Sequence, residues 1–125
     1  MDQSSMEVLV FVYGTLMQGR SNHHYLSNSQ RLGEGIVQDY QLYHLGEYPG
    51  MVPSVGCQVK GEVYRINETT LAQLDELEDE GGEYRRVKMP VTMAAVTLEE
   101  VYSYVYQLPV DEEWAVPLRQ QPWSS

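Results

Sequence analysis

The stretch FVYGTLMQG (residues 11–19) joins the longest apolar run of the chain to a short polar loop. The run itself comprises residues 8–12 and contains no polar position. Because apolar and polar residues do not alternate in it, the segment 8–13 predicts a strand that is buried on both faces. The glycine that follows lets the backbone turn sharply and lets a bound group approach it closely. We therefore expect a buried first strand that ends in a tight loop.

The loop after this strand is a candidate substrate-binding site, formed by Tyr13, Gly14, Thr15 and Leu16. Successive backbone N–H groups in such a turn form a concavity that binds an anion or a developing oxyanion. The loop is therefore suited to hold a substrate carboxylate or a reacting carbonyl. An ordinary glycine turn has the same four letters, so the loop sequence alone leaves both interpretations open. A phosphate-binding P-loop is excluded because the pattern G-x-x-x-x-G-K-[ST] is absent.

The size of the chain indicates one packed domain over residues 1–125, of which 42% are hydrophobic. We place its core at about residues 7–110 and an irregular, proline-containing tail at residues 111–125. Trp114 and Trp123 are the candidates to dock this tail on the core.

Charge restricts the partners of the chain. The net charge of −10 disfavours nucleic acid and anionic membrane surfaces, because both attract clustered Lys and Arg. The single cysteine cannot form an internal disulfide, and no basic leader with an apolar stretch precedes the first strand. Both features favour a reducing, cytoplasmic setting.

Further strands are indicated along the rest of the sequence. Residues 32–46 favour one or two strands with a bend at the glycines. The segment YPGMVPSVG (residues 48–56) is turn-rich, and its two prolines argue against a regular strand. Three more segments have the composition of strands, namely residues 57–66, 84–93 and 100–108. Since one helix lies among these strands, the sequence predicts a compact α+β fold with a curved or closed sheet.

The segment NETTLAQLDELED (residues 67–79) is the one strong helix candidate. Asn67 suits the N-cap position, and Glu68 suits the positive end of the helix dipole. The glycine pair at 81–82 is expected to stop the helix.

The apolar stripe of this helix consists of Leu71, Leu74 and Leu77, because residues three, four and seven apart share a helical face. Glu78 follows Leu74 by four positions and Leu71 by seven, so it falls within the stripe. Asp75 lies at the margin of the stripe. Among the six closely spaced acids of this region, Glu78 is the one that the helix turns toward the core.

A carboxylate in that position is a candidate general base. Burial disfavours the charged form and raises the pKa of Glu78, and a raised pKa suits a proton acceptor at neutral pH. Two structural alternatives remain open from periodicity alone. Glu78 lies at the helix end, where the last turn can fray and let the side chain reach water, or it forms an ion pair with Arg85 or Arg86.

Three segments in this order and spacing resemble the γ-glutamylcyclotransferase-like superfamily, and most closely its small bacterial YtfP-type branch. They are VYGTLMQGRSNHHYL, GEVYRI and LDELEDEGGEYRR, and the resemblance covers about residues 10–110. It implies a small mixed β-barrel with one main flanking helix and a pocket at the barrel mouth. In active relatives the Tyr-Gly-[Ser/Thr]-Leu loop lines the pocket and a helical glutamate acts as acid/base, and the position that matches this glutamate is Glu78.

The resemblance also implies a reaction, the intramolecular aminolysis of a γ-glutamyl amine that releases 5-oxoproline and a free amine. The expected partner is a small-molecule γ-glutamyl substrate, and neither a metal nor a cofactor is implied. A non-catalytic module that binds an amino-acid-like anion on the same fold is the alternative function. The identity of the leaving amine and the oligomeric state are not encoded in any motif of the sequence.

Several other residues are candidates for the pocket. Glu83 is a second candidate base next to Tyr84, and the sequence does not decide which of the two glutamates faces the pocket. Tyr84 and the alternating tyrosines Tyr102, Tyr104 and Tyr106 are candidates to line it with hydroxyl groups. Ordinary strand packing or exposure of these tyrosines is the competing interpretation.

Overall fold

The computed structural model describes residues 7–124, which contain five strands and one α-helix. The elements follow one another as β1 (Glu7–Val12), β2 (Gln30–His44), β3 (Pro49–Asn67), α1 (Glu68–Leu77), β4 (Tyr84–Met93) and β5 (Val96–Tyr106). Short 3₁₀ helices lie at His23–Leu26, Glu112–Trp114 and Leu118–Gln120. None of the helices in residues 7–124 is long and apolar enough to cross a membrane.

The strands form one sheet in the order β1-β3-β2-β4-β5. Neighbouring strands in this order run antiparallel, whereas β5 returns to β1 in parallel and pairs Tyr102 with Val10, which closes the sheet. Helix α1 follows β3 directly and buries Leu71 and Leu74. The expected α+β fold, with a small mixed sheet and one main flanking helix, is confirmed.

Strand β1 enters the core at its second half. Val10, Phe11 and Val12 are buried in succession, so both faces of the strand are covered, as the non-alternating apolar run predicts. On the neighbouring strand β3, Gly61 lies against this segment, and a Cβ at Gly61 would collide with the carbonyl oxygen of Val12. The strand that leads into the candidate loop is therefore held tightly on both sides.

The segment 48–56 corrects the sequence prediction, because β3 already begins at Pro49 and includes Pro53. Pro49 pairs with His44 of β2, and Pro53 pairs with Tyr40. Met51 lies two residues after Pro49 and two before Pro53, so its backbone has the same orientation in the strand as theirs. Its N–H points away from β2 and donates to the Tyr13 hydroxyl. The prolines therefore lack an N–H only on the side that β2 does not use, which a strand tolerates.

Helix α1 ends earlier than its sequence predicts. Asn67 caps its start as expected, since the Asn67 side chain accepts from the backbone N–H of Thr70 at 2.8 Å. At the other end Glu78 occupies the C-cap, and Asp79 turns into the left-handed region with φ 55°. Asp and Asn adopt this region more readily than most residues. The prediction that the glycine pair 81–82 stops the helix is therefore wrong, because Asp79 has already ended it.

The segment after β5, residues 107–124, forms what we call the C-terminal strap. Trp123 is buried and donates through Nε1 to Nδ1 of His44 at 2.9 Å, which confirms that it docks the tail. Trp114 is 45% exposed, so the corresponding expectation for Trp114 is wrong. The strap also joins the edge of β2, where the N–H of Val116 donates to the carbonyl of Leu42 at 2.8 Å.

Candidate active site

A cavity of about 280 Å³ opens where β1 ends. Its wall includes the loop candidates Tyr13, Gly14, Thr15 and Leu16 and, from the other candidates of the sequence, Glu78 and Tyr84. These residues come from the loop after β1, the end of α1 and the start of β4. The structure thus brings the loop at residues 13–16 together with residues 78–84, which are far from it in the sequence.

The loop after β1 is packed closely against the start of β3. A Cβ at Gly14 would lie 2.7 Å from the ring carbons of Pro49, so a larger residue has no room at this position. The loop closes as a turn, in which the N–H of Met17 donates to the carbonyl of Gly14 at 3.1 Å. Gly14 is therefore required by the close approach of the Pro49 ring to the loop.

Side chains from the following 3₁₀ segment fix the loop further. Asn22 donates through Nδ2 to Oγ1 of Thr15 at 3.0 Å, and its backbone N–H donates to the carbonyl of Thr15. His23 donates through Nδ1 to the carbonyl of Leu16 at 3.0 Å. Within residues 7–124, the backbone N–H groups of Thr15 and Leu16 themselves donate to no other residue. The loop is thus rigid while two of its donors stay available.

Glu78 stands in the same wall as a carboxylate without a hydrogen-bond or ion-pair partner among the described residues. Surrounding protein atoms desolvate the side chain, and this burial raises the pKa of Glu78 from 4.5 to about 7. The alternative of an ion pair with Arg86 does not apply, because Arg86 pairs with Asp75. Arg85 is exposed. At neutral pH, Glu78 can therefore both accept and return a proton.

Glu83 lies at the rim of the same cavity. One of its carboxylate oxygens accepts from the hydroxyl of Tyr48 at 3.2 Å, and its carbonyl accepts from the N–H of Gln107. Its own N–H donates to the side chain of Asp79. Glu83 is thus held by partners on several sides, in contrast to Glu78.

Besides Tyr48, three more tyrosines contribute to the wall: Tyr13, Tyr84 and Tyr104. The hydroxyl of Tyr13 donates to the carbonyl of Tyr104 at 2.6 Å, and the hydroxyl of Tyr84 donates to the carbonyl of Pro49 at 2.7 Å. Burial raises the pKa of all three phenols above the ordinary value, so they stay protonated at neutral pH. They can bind a ligand but do not serve as bases.

The expectation that Tyr102 and Tyr106 also line the pocket is wrong. Successive residues on one face of a strand are about 6.6 Å apart, so the cavity reaches only the middle member of the three tyrosines of β5. Tyr102 instead lies beneath the cationic groups of Arg86 and Lys88. Tyr106 packs edge-on against the ring of Tyr84 at 5.3 Å between centroids.

Sequence reasoning missed the partners that hold the site in place. Asp75, Asn22 and Pro49 support the helix end and the loop through the contacts above and an ion pair to Arg86. The position of Asp75 at the margin of the apolar stripe was the one available signal. Within residues 7–124, no group of three or more His, Cys, Asp or Glu side chains could hold a metal ion.

Comparisons with known proteins agree with this geometry. Residues 10–125 match the family described as "Gamma-glutamyl cyclotransferase, AIG2-like". The gamma-glutamylcyclotransferase family protein YtfP of Escherichia coli K12 is 47% identical over 102 residues, which cover 82% of this chain and 85% of the relative. The solution structure of E. coli ytfP covers 84% of this chain and 88% of its own, at 46% identity and a TM-score of 0.61.

A more distant structure shares the fold more closely. The crystal structure of an AIG2-like protein from Mus musculus superposes with a TM-score of 0.74 at 28% identity. The superposition covers 86% of this chain and 82% of the mouse chain. The fold is thus similar to that of proteins from both bacteria and mammals.

Proposed function

The chain belongs to the gamma-glutamyl cyclotransferase, AIG2-like family, and we propose that it converts a γ-glutamyl amine into 5-oxoproline and a free amine. The observation that carries the proposal is the pairing of Glu78 with the loop after β1 in one cavity. Among the described residues, a desolvated carboxylate without a partner lines the same cavity as backbone donors that have no acceptor.

The reaction uses a nucleophile that the substrate supplies. The carboxylate of Glu78 removes a proton from the α-ammonium, and the resulting amine attacks the γ-carbonyl carbon. A C–N bond forms and closes a five-membered ring, while the carbonyl oxygen becomes an oxyanion. The backbone N–H groups of Thr15 and Leu16 are the donors suited to stabilise this oxyanion.

Collapse of the intermediate breaks the bond to the leaving nitrogen. Glu78 returns its proton to this nitrogen, and the attacking nitrogen gives up a second proton as the lactam forms. Overall, two protons move from the α-nitrogen to the leaving amine, which departs as an ammonium. The reaction therefore balances without water, metal or cofactor as a reactant.

The burial of Glu78 supports its role over that of Glu83. Because burial raises the pKa of Glu78 to about 7, comparable fractions of Glu78 are ionised and protonated at neutral pH. A base with such a pKa can take up a proton and return it in one catalytic cycle. The carboxylate of Glu83 already accepts a hydrogen bond from Tyr48 and lies at the rim.

The test measures 5-oxoproline release from a panel of γ-glutamyl amines by the wild type, Glu78→Gln and the matched variant Glu83→Gln. We expect turnover of at least one substrate by the wild type. Glu78→Gln should lower the rate by about 10²–10⁴-fold, because an amide cannot transfer the proton. Glu83→Gln should stay within about tenfold of the wild type, as expected for a residue outside the proton transfer.

Equal turnover by Glu78→Gln and the wild type would remove Glu78 as the base. If the wild type turns over no member of the panel, the alternative of a non-catalytic module that binds an amino-acid-like anion is favoured instead. Both glutamine variants keep the shape of the side chain, so we expect both of them to fold as the wild type does. A thermal unfolding curve for each variant checks this.

A further inference from the structure

Three side chains at the cavity form what we call the Asp75 cluster, namely Asp75, Arg86 and Tyr104. Arg86 on β4 and Tyr104 on β5 stand directly opposite each other in the strand ladder. The carboxylate of Asp75 on α1 reaches both of them, since one oxygen pairs with the guanidinium of Arg86 and the other accepts from the Tyr104 hydroxyl at 2.7 Å. The cluster therefore ties the helix to two neighbouring strands.

Tyr104 connects this cluster to the cavity. It is part of the cavity wall, as is Glu78. Its backbone carbonyl accepts from the hydroxyl of Tyr13, the residue at which the loop after β1 begins. Asp75 precedes Glu78 by three positions, so about one helical turn carries both carboxylates. A displacement of Tyr104 would consequently also displace the loop after β1 and the end of α1.

The direction of its hydrogen bond decides what Tyr104 can offer to a ligand. An ionised carboxylate only accepts, so the hydroxyl proton of Tyr104 is committed to Asp75. The phenolic oxygen keeps its lone pairs and can accept from a ligand. The hydroxyl protons of Tyr13 and Tyr84 are committed in the same way, to backbone carbonyls.

The cavity is therefore complementary to a cation. Within the described chain, no Lys or Arg belongs to its wall, whereas four acidic residues and four tyrosines do. An ammonium group has three donors and no acceptor, which matches the acidic and phenolic acceptors of this wall, whereas the backbone N–H groups of Thr15 and Leu16 face the carbonyl of the substrate. The α-ammonium of a γ-glutamyl substrate is such a group.

We propose that Asp75 is a positioning residue, which holds Tyr104 so that its phenolic oxygen accepts a hydrogen bond from the α-ammonium and presents that group to Glu78. The inference rests on the proposed function, because it assigns a contact for the substrate of that same cavity. Arg86 balances the charge of Asp75 in this arrangement. The charge of Asp75 then adds less to the negative potential at Glu78 than an unpaired carboxylate would.

The kinetic test compares Tyr104→Phe with Tyr102→Phe, which removes a hydroxyl from the same strand outside the cavity. A hydrogen bond to a charged group is lost in Tyr104→Phe, so kcat/KM should fall roughly 10- to 100-fold, mainly through KM. Tyr102→Phe should stay within about twofold, because it removes no bond to the ligand. Asp75→Asn should lower kcat/KM about tenfold, because a neutral amide holds the hydroxyl less firmly.

A second measurement does not depend on turnover. NMR titration of the Glu78 carboxyl should give a lower pKa in Asp75→Asn than in the wild type, by about one unit. The guanidinium of Arg86 is then uncompensated and favours the ionised form of Glu78. Replacing Arg86 as well, in Asp75→Asn/Arg86→Gln, should return the pKa to near its wild-type value.

The control for this titration is Glu76→Gln, which removes an exposed carboxylate from the same helix and should leave the pKa of Glu78 unchanged. The other titratable groups of the cavity wall are the same in all of these variants: Tyr13, Glu47, Tyr48, Asp79, Glu83, Tyr84 and Tyr104. A merely structural role of Asp75 would lower the thermal midpoint without this reversible pattern.

The inference is overturned if Tyr104→Phe and Tyr102→Phe have equal kinetics, or if Asp75→Asn leaves the pKa of Glu78 in place. In either case 5-oxoproline release by the wild type would still support the proposed function. If the wild type releases no 5-oxoproline from any γ-glutamyl amine, the proposed function fails and the inference falls with it.

Discussion

The C-terminal strap and the cavity differ in whether their polar groups have hydrogen-bond partners. In the strap, the buried amide of Gln121 is used in full. Its oxygen accepts from the N–H of Lys60 at 2.8 Å, and its nitrogen donates to the carbonyls of Gln58 and Val116, each at 3.2 Å. The polar side chain that the strap buries therefore has its hydrogen-bond partners within the strap and on β3.

At the cavity, by contrast, polar groups remain without partners. Glu78 has a desolvated carboxylate with no counterion among residues 7–124, and the backbone N–H groups of Thr15 and Leu16 donate to none of these residues. A desolvated polar group without a partner costs free energy, so native proteins keep few of them. The difference indicates that the strap contributes stability, while the cavity gives up stability for binding and chemistry.

The largest effect is expected in the pH dependence of stability, because burying the ionised carboxylate of Glu78 costs free energy. The pKa is about 7 in the native state and 4.5 when the group is unperturbed. Below pH 4.5 the group is protonated in both states, so burial costs nothing there. As the pH rises toward 7, the unfolded state loses its proton first and the native state becomes less stable, by at most about 3 kcal/mol.

Glu78→Gln has no such titration. The variant should therefore be more stable than the wild type at pH 8 and should lose this advantage at pH 4, as measured by chemical denaturation. The wild-type rate should fall on the acid side with a midpoint near pH 7, because the base must be ionised. An advantage of the same size at both pH values would show that Glu78 is not desolvated.

The next effect concerns the loop itself. Gly14→Ala places a methyl group 2.7 Å from the ring carbons of Pro49 and should push the loop out of position. We expect a loss of about 10²-fold in 5-oxoproline release, because a displacement of about 1 Å between reacting groups has that effect.

The matched control is Gly35→Ala in β2, where a Cβ would lie 2.7 Å from Cγ1 of Val91 and away from the cavity. It should cost about 1–3 kcal/mol of stability through overpacking and leave kcat within about twofold. If both variants lose activity in proportion to stability, the loop has no special role.

The smallest effect is expected in the strap. Gln121→Ala removes three hydrogen bonds and leaves the N–H of Lys60 without its acceptor, so the free energy of unfolding should fall by about 1–2 kcal/mol. The kcat/KM for a γ-glutamyl amine should be unchanged. Gln120→Ala, at an exposed neighbouring position, should affect neither quantity. A loss of activity in Gln121→Ala at full stability would contradict the division between strap and cavity.

The sequence predicted the parts of the fold that local pattern controls. The apolar run before Tyr13, the N-cap at Asn67 and the stripe that ends near Glu78 are all repeated in the structure. Prediction failed where contacts with residues distant in the sequence decide the local structure. Pro49 and Pro53 are within a strand because β2 takes only one side of them, and no local rule contains that information.

The position of Glu78 illustrates the limit of the periodicity argument. The pattern places this residue on the core side of α1, and the cavity does contain it. Yet the helix has already ended there, because Asp79 turns into the left-handed region. The sequence also did not show which acidic residue pairs with Arg86. Asp75 forms this ion pair because β4 and β5 place Arg86 opposite Tyr104, within reach of the helix.

The sequence by itself therefore determined the family, the secondary structure around the loop and a set of candidate residues, most of which line the cavity. Those properties depend on composition, periodicity and short motifs, which are local. Only the tertiary structure decided that Glu78 has no counterion in the described part of the chain, that Glu83 is held by Tyr48 and that Tyr104 is held by Asp75. Desolvation and pairing depend on which side chains the closed sheet brings within a few ångströms, and residues distant in the chain make those contacts.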